Sequence, residues 1–463
     1  MSAPVEDFRS AIATELGLEP GAISSDVTFE DLGLDPMAAM EVLEIVNDRT
    51  GIEFPASLFR DCRCLSDIGK RTASNGIIGR PLANSMPAPR SSPVHAAYSC
   101  TTALAGRYAK EAGVADFWTN VYPSQRRLVL AYVFEAFSRL AQPLGQMIPG
   151  TPFPIPGHVL TRHAKLMQTL LDILVDGGLV ERIGTKLLRT SAAVDLTSSS
   201  ALYQKILHDF PQHSDTHRLL NITGSKLAGC LTGSMDPIKL LFGSSLGRDM
   251  LFEFYTNAPM SIAASKQLSD VFERVFISSR EPIEILEIGA GFGGTTKFVL
   301  DMLIRSGIRF KYTFTDISSS FFKTAKKRYA QLNLGGSIIE YEVLDVEKPI
   351  PDKFRGRFHA VLSTNCIHAT KNLQLSCTNA RQLLRPGGFF SVVEFSTRLY
   401  WLDLVFGLLD GWWLFDDGRS HCIAEEAFWM KNMQAAGFSD VIWTKTLVDG
   451  KRPNPQVIVA TTV

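Results

Sequence analysis

The stretch ILEIGAGFGGTTKF, residues 285–298, decides the fold. An apolar run ends in four closely spaced glycines, Gly289, Gly291, Gly293 and Gly294, and a helical pattern follows. Glycine lets a chain turn tightly and lets a ligand approach bare backbone. Upstream and downstream of this turn the alternation repeats. IEILEIG, FKYTFTD, IEYEVLD, FHAVLSTN and GGFFSVVEF are strand-like apolar runs separated by helical stretches. Runs apolar on every residue suit strands covered on both faces, so residues 246–463 are expected to form an α/β, Rossmann-like, doubly wound parallel sheet. The closing segment SDVIWTKTLVDGKRPNPQVIVATTV reads differently, as two strands around a polar loop, an antiparallel edge hairpin.

The glycines alone leave the ligand open. Gly289, Gly291 and Gly294 satisfy the dinucleotide fingerprint G-x-G-x-x-G. Asp316, at the end of the next strand, can accept both ribose hydroxyls of either a nicotinamide dinucleotide or S-adenosylmethionine (SAM). Three features separate the two. Asp345 ends the third strand, where SAM enzymes hold the adenine edge. LLRPGGFFSVVE reads as helix, Pro-Gly-Gly turn and strand, typical of the fifth strand of class I methyltransferases, and the terminal hairpin is their usual ending. Glu287, two residues before Gly289, fits their E/D-x-G-x-G form. The combination resembles a class I SAM-dependent methyltransferase. It implies SAM as cofactor, held by Glu287, Gly289, Gly291, Gly293, Asp316, Ile317, Asp345 and Val346.

Catalytic candidates follow from strand ends, because the carboxyl ends of strands line the ligand crevice of a doubly wound sheet. The fourth strand runs into STNCIHATKN and the fifth ends in VVEF, so His368 and Glu394 point to one site from neighbouring loops. A histidine oriented by a carboxylate is a general base with a fixed tautomer. Here EIGAGFGGTTKF, YTFTDIS, TNCIHATKN and above all YWLDLVFGLLDGWWLFDDGR resemble the C-methyltransferase domain of fungal non-reducing polyketide synthases. With the FYTNAPM segment, the resemblance covers most of residues 98–463. It implies that His368 and Glu394 are the catalytic dyad, that Tyr255 places an aromatic hydroxyl near the donor methyl, and that Asn365 contacts the methionine part of SAM. It also implies C-methylation of the α-carbon of a β-ketoacyl thioester, with no metal. Trp412 and Trp413 are expected either to line the acyl tunnel or to be core aromatics.

The remaining chain is read by composition and period. Lys plus Arg equals Asp plus Glu at 47 each, so no global field recruits nucleic acid or an acidic membrane. Seven scattered cysteines make no disulfide framework, and Cys62-x-Cys64 lacks a second pair at zinc spacing. The acidic, amphipathic N-terminus is no signal peptide. The run at 399–415 contains Asp403 and Asp410 and is expected to be a buried wall, not a membrane span. A cytoplasmic location follows as an expectation. Residues 98–245 read as a helical cap or substrate lid. Within them, HVLTRHAKLMQTLLDILVDGGLVERIGTKLLRTS resembles a winged helix, but its second helix offers Lys165 beside Asp172 and Asp176, with no basic reading face for DNA. Residues 73–97, with Pro, Ser, Asn and Gly and little periodicity, read as a linker.

Residues 1–72 form a small helical unit, with Val5, Phe8, Ile12 and Leu16 at helical spacing. FEDLGLDPMAAMEVLEIVNDRTGIEFPASLFRDCRCLSDI resembles an acyl carrier protein. In that family a serine carrying phosphopantetheine starts the helix after L-G-x-D. Pro36 stands there, and Ser24, Ser25, Ser57 and Ser66 lie elsewhere in the pattern. No phosphopantetheine is therefore expected. The helix is expected to survive, capped by Asp35, started by Pro36 and striped by Met37, Met40, Leu43 and Val46. The implied partner is an acyl carrier protein or ketosynthase region of a polyketide synthase, with this pseudo-carrier as docking module. The Met1 start, without ketosynthase, acyltransferase or reductase segments, reads as a free-standing enzyme. The competing expectations are a methyltransferase acting on a free small molecule and a non-catalytic scaffold.

Overall fold

The computed structural model describes residues 3–16, 18–34, 36–50, 52–54, 58–73, 80–81 and 93–462. The chain divides into two compact units, Met1–Ser91 and Ser92–Val463.

In the first unit the helices Ala3–Leu16, Pro36–Thr50, Leu58–Asp61 and Leu65–Ala73 enclose a core of Phe8, Ile12, Val42, Val46, Leu58, Leu65 and Ile68. Leu16 packs at its margin. The second helix starts at Pro36 itself. Proline suits the first helical position, where its missing N–H has no partner to lose and its φ is already helical. The expected Asp35 cap and the side chains of Met37 and Met40 lie outside the described residues, as does Ser57. Two of the other serines have structural partners: Ser25 accepts from Arg9 at 2.8 Å and Ser66 donates to Asp26 at 2.6 Å.

The second unit is built on a seven-stranded sheet. Its strands are β1 (Ile283–Ile288), β2 (Phe310–Asp316), β3 (Ile338–Val343), β4 (Phe358–Thr364), β5 (Leu384–Glu394), β6 (Asp440–Trp443) and β7 (Gln456–Thr461). The order is β6-β7-β5-β4-β1-β2-β3, parallel except for β7, which runs antiparallel to both its neighbours. This is the class I methyltransferase sheet. Ile285 faces one helical layer's core and Leu286 the other, both fully buried, which is why the run is apolar at every position. Of the terminal hairpin, β6 is the edge, whereas β7 lies inside the sheet against β5.

The helices between residues 117 and 257 form a further core, which packs on Phe395 and the 399–415 segment just beyond β5; the helices Pro93–Thr102 and Pro259–Phe276 pack largely on the sheet. That segment is a short helix, Tyr400–Val405, followed by tight turns at Phe406–Leu408 and Asp410–Trp413, and it is a buried wall. Among the described residues no helix is long and apolar enough to cross a membrane. Opposite the wall lies the helix Ala164–Asp176, followed by the hairpin Val180–Ile183 and Lys186–Arg189. Leu166, Met167, Leu170, Leu171, Ile173 and Leu174 of this helix are buried. Lys165 donates to the Trp413 carbonyl at 2.7 Å and sits 4.4 Å over the Phe415 ring. The helix that would read DNA in a winged helix is here part of the wall's packing.

Candidate active site

The turn after β1 needs glycine for two separate reasons. Gly289, Gly291 and Gly293 have φ of +64°, +52° and +72°, in the left-handed region that penalises a side chain. Neighbours also occupy the space: a Cβ on Gly289 would collide with the Cys366 thiol, and one on Gly294 with the Tyr255 carbonyl. Gly294 starts the helix Gly294–Arg305. Gly293 lies behind the turn, against Tyr329 and Phe314, and does not line the cavity that the other three glycines border.

That cavity, about 350 Å³, is bordered by Glu287, Asp316, Ile317, Asp345, Val346 and Asn365 as well as the turn. Asp316, at the end of β2, accepts the N–H of Gly291 at 3.0 Å and of Ser318 at 2.9 Å, which fixes its carboxylate at the cavity wall. Burial raises its carboxyl above the usual range, and the backbone N–H donors work against that rise. Asp345 accepts from the Glu347 N–H at 3.0 Å and pairs with Lys348 at 3.1 Å. Ile317, 73% exposed, and buried Val346 supply apolar surface beside the two acids. Glu287 is held from within the fold by the hydroxyls of Thr296 (2.5 Å) and Tyr312 (2.6 Å). Burial pushes its carboxyl up to about 7 against the pull of those bonds. A carboxylate at the end of β2, bare backbone and a flat apolar margin make the donor set fit an adenosyl group with a cationic tail.

The second half of the site comes from β4 and β5. β4 runs into Asn365, a non-glycine residue at φ +47°, and then a single tight turn, Ile367–Ala369. Such backbone costs about 1–3 kcal/mol and persists where its surroundings impose it. Here the Asn365 N–H bonds the Val393 carbonyl of β5 at 2.8 Å. The turn carries His368, whose Nδ1 lies 2.5 Å from Glu394 Oε2. Glu394 Oε1 accepts the N–H groups of Cys366 at 3.1 Å and His368 at 3.3 Å, so the carboxylate is fully buried and fully partnered. A carboxylate acceptor places the imidazole proton on Nδ1 and leaves Nε2 as a lone-pair base.

Further residues support this turn, and of these only Trp412 and Asp403 stood out in the sequence. Buried Arg419, paired with Asp417 at 2.8 Å, donates to the carbonyls of His368 (2.9 Å) and Thr370 (2.6 Å). Trp412 meets the His368 ring edge-on at 5.4 Å between centroids. Its indole N–H donates to Asp403 at 3.1 Å, and Asp403 also binds His421 at 2.8 Å and Arg398 at 3.1 Å. Only the dipeptide WW and the buried acid in an apolar run signalled this network. Trp413 is a core residue that donates to the Gly407 carbonyl at 2.7 Å.

Trp412 and His368 border a second cavity of about 250 Å³, whose lining is dominated by phenylalanines and leucines. It shares Phe242, Tyr255, Asn365, Ala369 and Phe406 with the first. The two cavities therefore abut beside His368. Burial, then the nearby Cys366 and Glu394, raise the Tyr255 hydroxyl well above the usual range, so it remains a protonated donor. Among the described residues no cluster of three or more His, Cys, Asp or Glu is placed to hold a metal.

Residues 99–187 match the family "Methyltransferase, Helix-turn-helix domain", 286–390 a methyltransferase domain, and 6–71 the "Phosphopantetheine attachment site" family. A polyketide methyltransferase of Ustilaginoidea virens, ustM, is 44% identical over 98% of this chain and 98% of its own length. The chain belongs to the polyketide methyltransferases. It is a SAM-dependent C-methyltransferase of polyketide biosynthesis, and its carrier-like, helix-turn-helix and catalytic regions match those of fungal synthases. The methyltransferase is also 51% identical, over 73% of its length, to the non-reducing polyketide synthase pkbA of Emericella nidulans, spanning only 13% of that synthase. The solved C-methyltransferase domain of the citrinin polyketide synthase superposes with a TM-score of 0.76 at 31% identity, covering 81% of this chain and 97% of that one. The CurJ carbon methyltransferase gives 0.68 at 25% identity, covering 80% and 99%.

Proposed function

We propose that this methyltransferase alkylates the α-carbon of a carrier-bound β-ketoacyl thioester, with His368 as the base. The observation that supports this most is the 2.5 Å contact between His368 and buried Glu394 where the two cavities abut. The α-proton of a β-ketothioester is acidified by two carbonyls. His368 Nε2 takes that proton, and the C–H electron pair remains with the substrate as an enolate. Glu394, on the opposite ring nitrogen, stabilises the imidazolium so formed. SAM would be held in the larger cavity and would supply an electrophilic sulfonium methyl; the enolate α-carbon would form the new C–C bond to it as the S–CH3 electron pair returns to sulfur. The hydroxyl of Tyr255 and the amide of Asn365 border both cavities and orient the two reactants there; alignment of this kind contributes several kcal/mol to such two-substrate steps. An acyl chain held in the aromatic cavity is shielded from water.

The test is mass spectrometry of acetoacetyl groups on a phosphopantetheinylated carrier domain, incubated with SAM and this protein. A gain of one methyl, located on the α-carbon by fragmentation, is the expected result. Methylation on oxygen, or only of free acetoacetate, would overturn the reading.

The carrier-like unit, with Pro36 in place of the attachment serine, serves on this reading to dock a partner synthase. Removing residues 1–72 is expected to abolish capture of that synthase in a pull-down while SAM binding persists. Capture equal to that of the full chain would refute the docking role.

A further inference from the structure

Charge is unevenly divided along the chain. Residues 1–72 contain 14 acidic and 6 basic side chains, a net charge of −8. Since the whole chain has 47 of each, residues 73–463 contain 33 acidic and 41 basic ones, a net charge of +8.

Part of the basic excess is gathered on one face of the catalytic unit. The helix Ser320–Tyr329 reads SFFKTAKKRY, with four cations and no acid. Lys323, Lys326 and Lys327 are exposed, and among the described residues none of them forms an ion pair. Most other lysines and arginines of comparable exposure on neighbouring helices are neutralised, for example Lys297 by Asp301 and Arg305 by Glu273. Arg328 joins this helix to the site: its guanidinium lies 4.4 Å over the Phe252 ring and donates to the Phe292 carbonyl at 2.9 Å. Phe292 and Phe321, in edge contact at 5.2 Å, border the larger cavity.

The segment 238–246 reaches the same larger cavity through Phe242. Ile238, Phe242 and Leu246 are 59%, 42% and 62% exposed, although Phe242 lines both cavities. Arg248 donates to the Phe242 carbonyl at 2.7 Å. Asp249 and Glu253 share its helix, so the cationic character is concentrated on the lysine helix and the apolar character around Phe242. The lysine helix, through Phe321, and the apolar rim, through Phe242, both reach the larger cavity, and Phe242 also lines the smaller one; exposed apolar surface of this kind marks an interaction site.

We propose that the face formed by Lys323, Lys326 and Lys327 with the rim of Ile238, Phe242 and Leu246 is the docking surface for an acidic acyl carrier domain that presents the substrate thioester. The inference rests on the reading of a carrier-bound substrate given above. A carrier must set the root of its arm at the mouth of the acyl cavity, so the ground around that mouth meets the carrier. The carrier-like sequence in this chain, at −8, has the charge complementary to this face. Complementary charge steers encounter and fixes orientation more than it adds final affinity.

The experiment uses the full chain and the triple variant K323E/K326E/K327E. Two substrates are compared: acetoacetyl on a phosphopantetheinylated carrier domain from a non-reducing polyketide synthase, and the acetoacetyl thioester of N-acetylcysteamine. The variant is expected to raise KM for the carrier-bound substrate by roughly tenfold or more. Turnover of the small thioester, and calorimetric affinity for S-adenosylhomocysteine, are expected to stay within about twofold of wild type, since these exposed lysines touch neither cavity. An unchanged KM for the carrier-bound substrate overturns the proposal, as does an equal loss on both substrates. If the lysines instead join two copies of this chain, the sedimenting mass falls in the variant while the carrier KM stays fixed, which also overturns it. Failure of the wild-type protein on both substrates would remove the functional reading and this surface together. A variant equal to an active wild type on both substrates removes the surface alone.

Discussion

His368→Ala is expected to lower turnover of a carrier-bound β-ketoacyl group by roughly 10²–10⁴-fold while leaving affinity for S-adenosylhomocysteine unchanged. The size follows from what a positioned base contributes. The selectivity follows from location, because His368 borders the smaller cavity and not the larger one. Glu394→Gln is the sharper test. The amide oxygen can still accept the N–H groups of Cys366 and His368, so the turn should keep its shape. Its NH₂ group, however, would face Nδ1 and donate to it. That forces the ring proton onto Nε2, the nitrogen that must be bare, and the loss should approach that of the alanine variant. Single-turnover rates by mass spectrometry, with calorimetry of the product cofactor, read both effects. Wild-type rates in either variant would remove the dyad from the reaction.

The second expected result concerns Pro36→Ser. A phosphopantetheinyl transferase with coenzyme A should leave the wild-type chain at its own mass and should add one phosphopantetheine to the variant. A serine at that place restores the L-G-x-D-S sequence of a working carrier, and the helix beginning there is already present. The structure should lose little, since serine and proline both suit helix starts. Modification of the wild-type chain would show that another serine had taken over. Ser25 and Ser66 are engaged by Arg9 and Asp26, which argues against either. An unmodified variant would mean that the unit has diverged beyond the missing hydroxyl.

Much of this architecture is legible in the sequence because its signals are local. ILEIGAGFGGTTKF carries its own strand, turn and helix, and Asp316 and Asp345 follow at the ends of the next two strands, so a periodic reading reaches them. His368 and Glu394 are legible through a rule about strand ends, since parallel neighbours deliver their final residues to one edge. What escapes is contact made across non-periodic chain. Arg419 and His421 come from a loop without helical or strand period, and their partners His368 and Asp403 are 51 and 18 residues away. The glycine cluster shows a finer limit. Spacing marks four glycines alike, yet Gly293 answers to Tyr329 behind the turn and Gly294 to the Tyr255 carbonyl in front. In the same way, Glu287 has the motif's position, but its oxygen is engaged by hydroxyls of Thr296 and Tyr312 that no motif records. The winged-helix pattern was visible as a shape, and its packing against the 399–415 wall was not, because amphipathic helices do not name their partners.

Glu394 has no exposed surface. Mobile ions cannot approach a charge enclosed in this way, so its hold on the imidazole is nearly indifferent to ionic strength. The lysines of the helix Ser320–Tyr329 stand in water, where about 0.15 M salt already weakens fields beyond about 8 Å. The proton-transfer step and the arrival of the acyl chain thus respond to different properties of the solution. If the lysine face receives the carrier, adding salt is expected to slow delivery and leave the chemistry at its own pace, so an ordinary titration with sodium chloride would separate meeting from reacting in this enzyme.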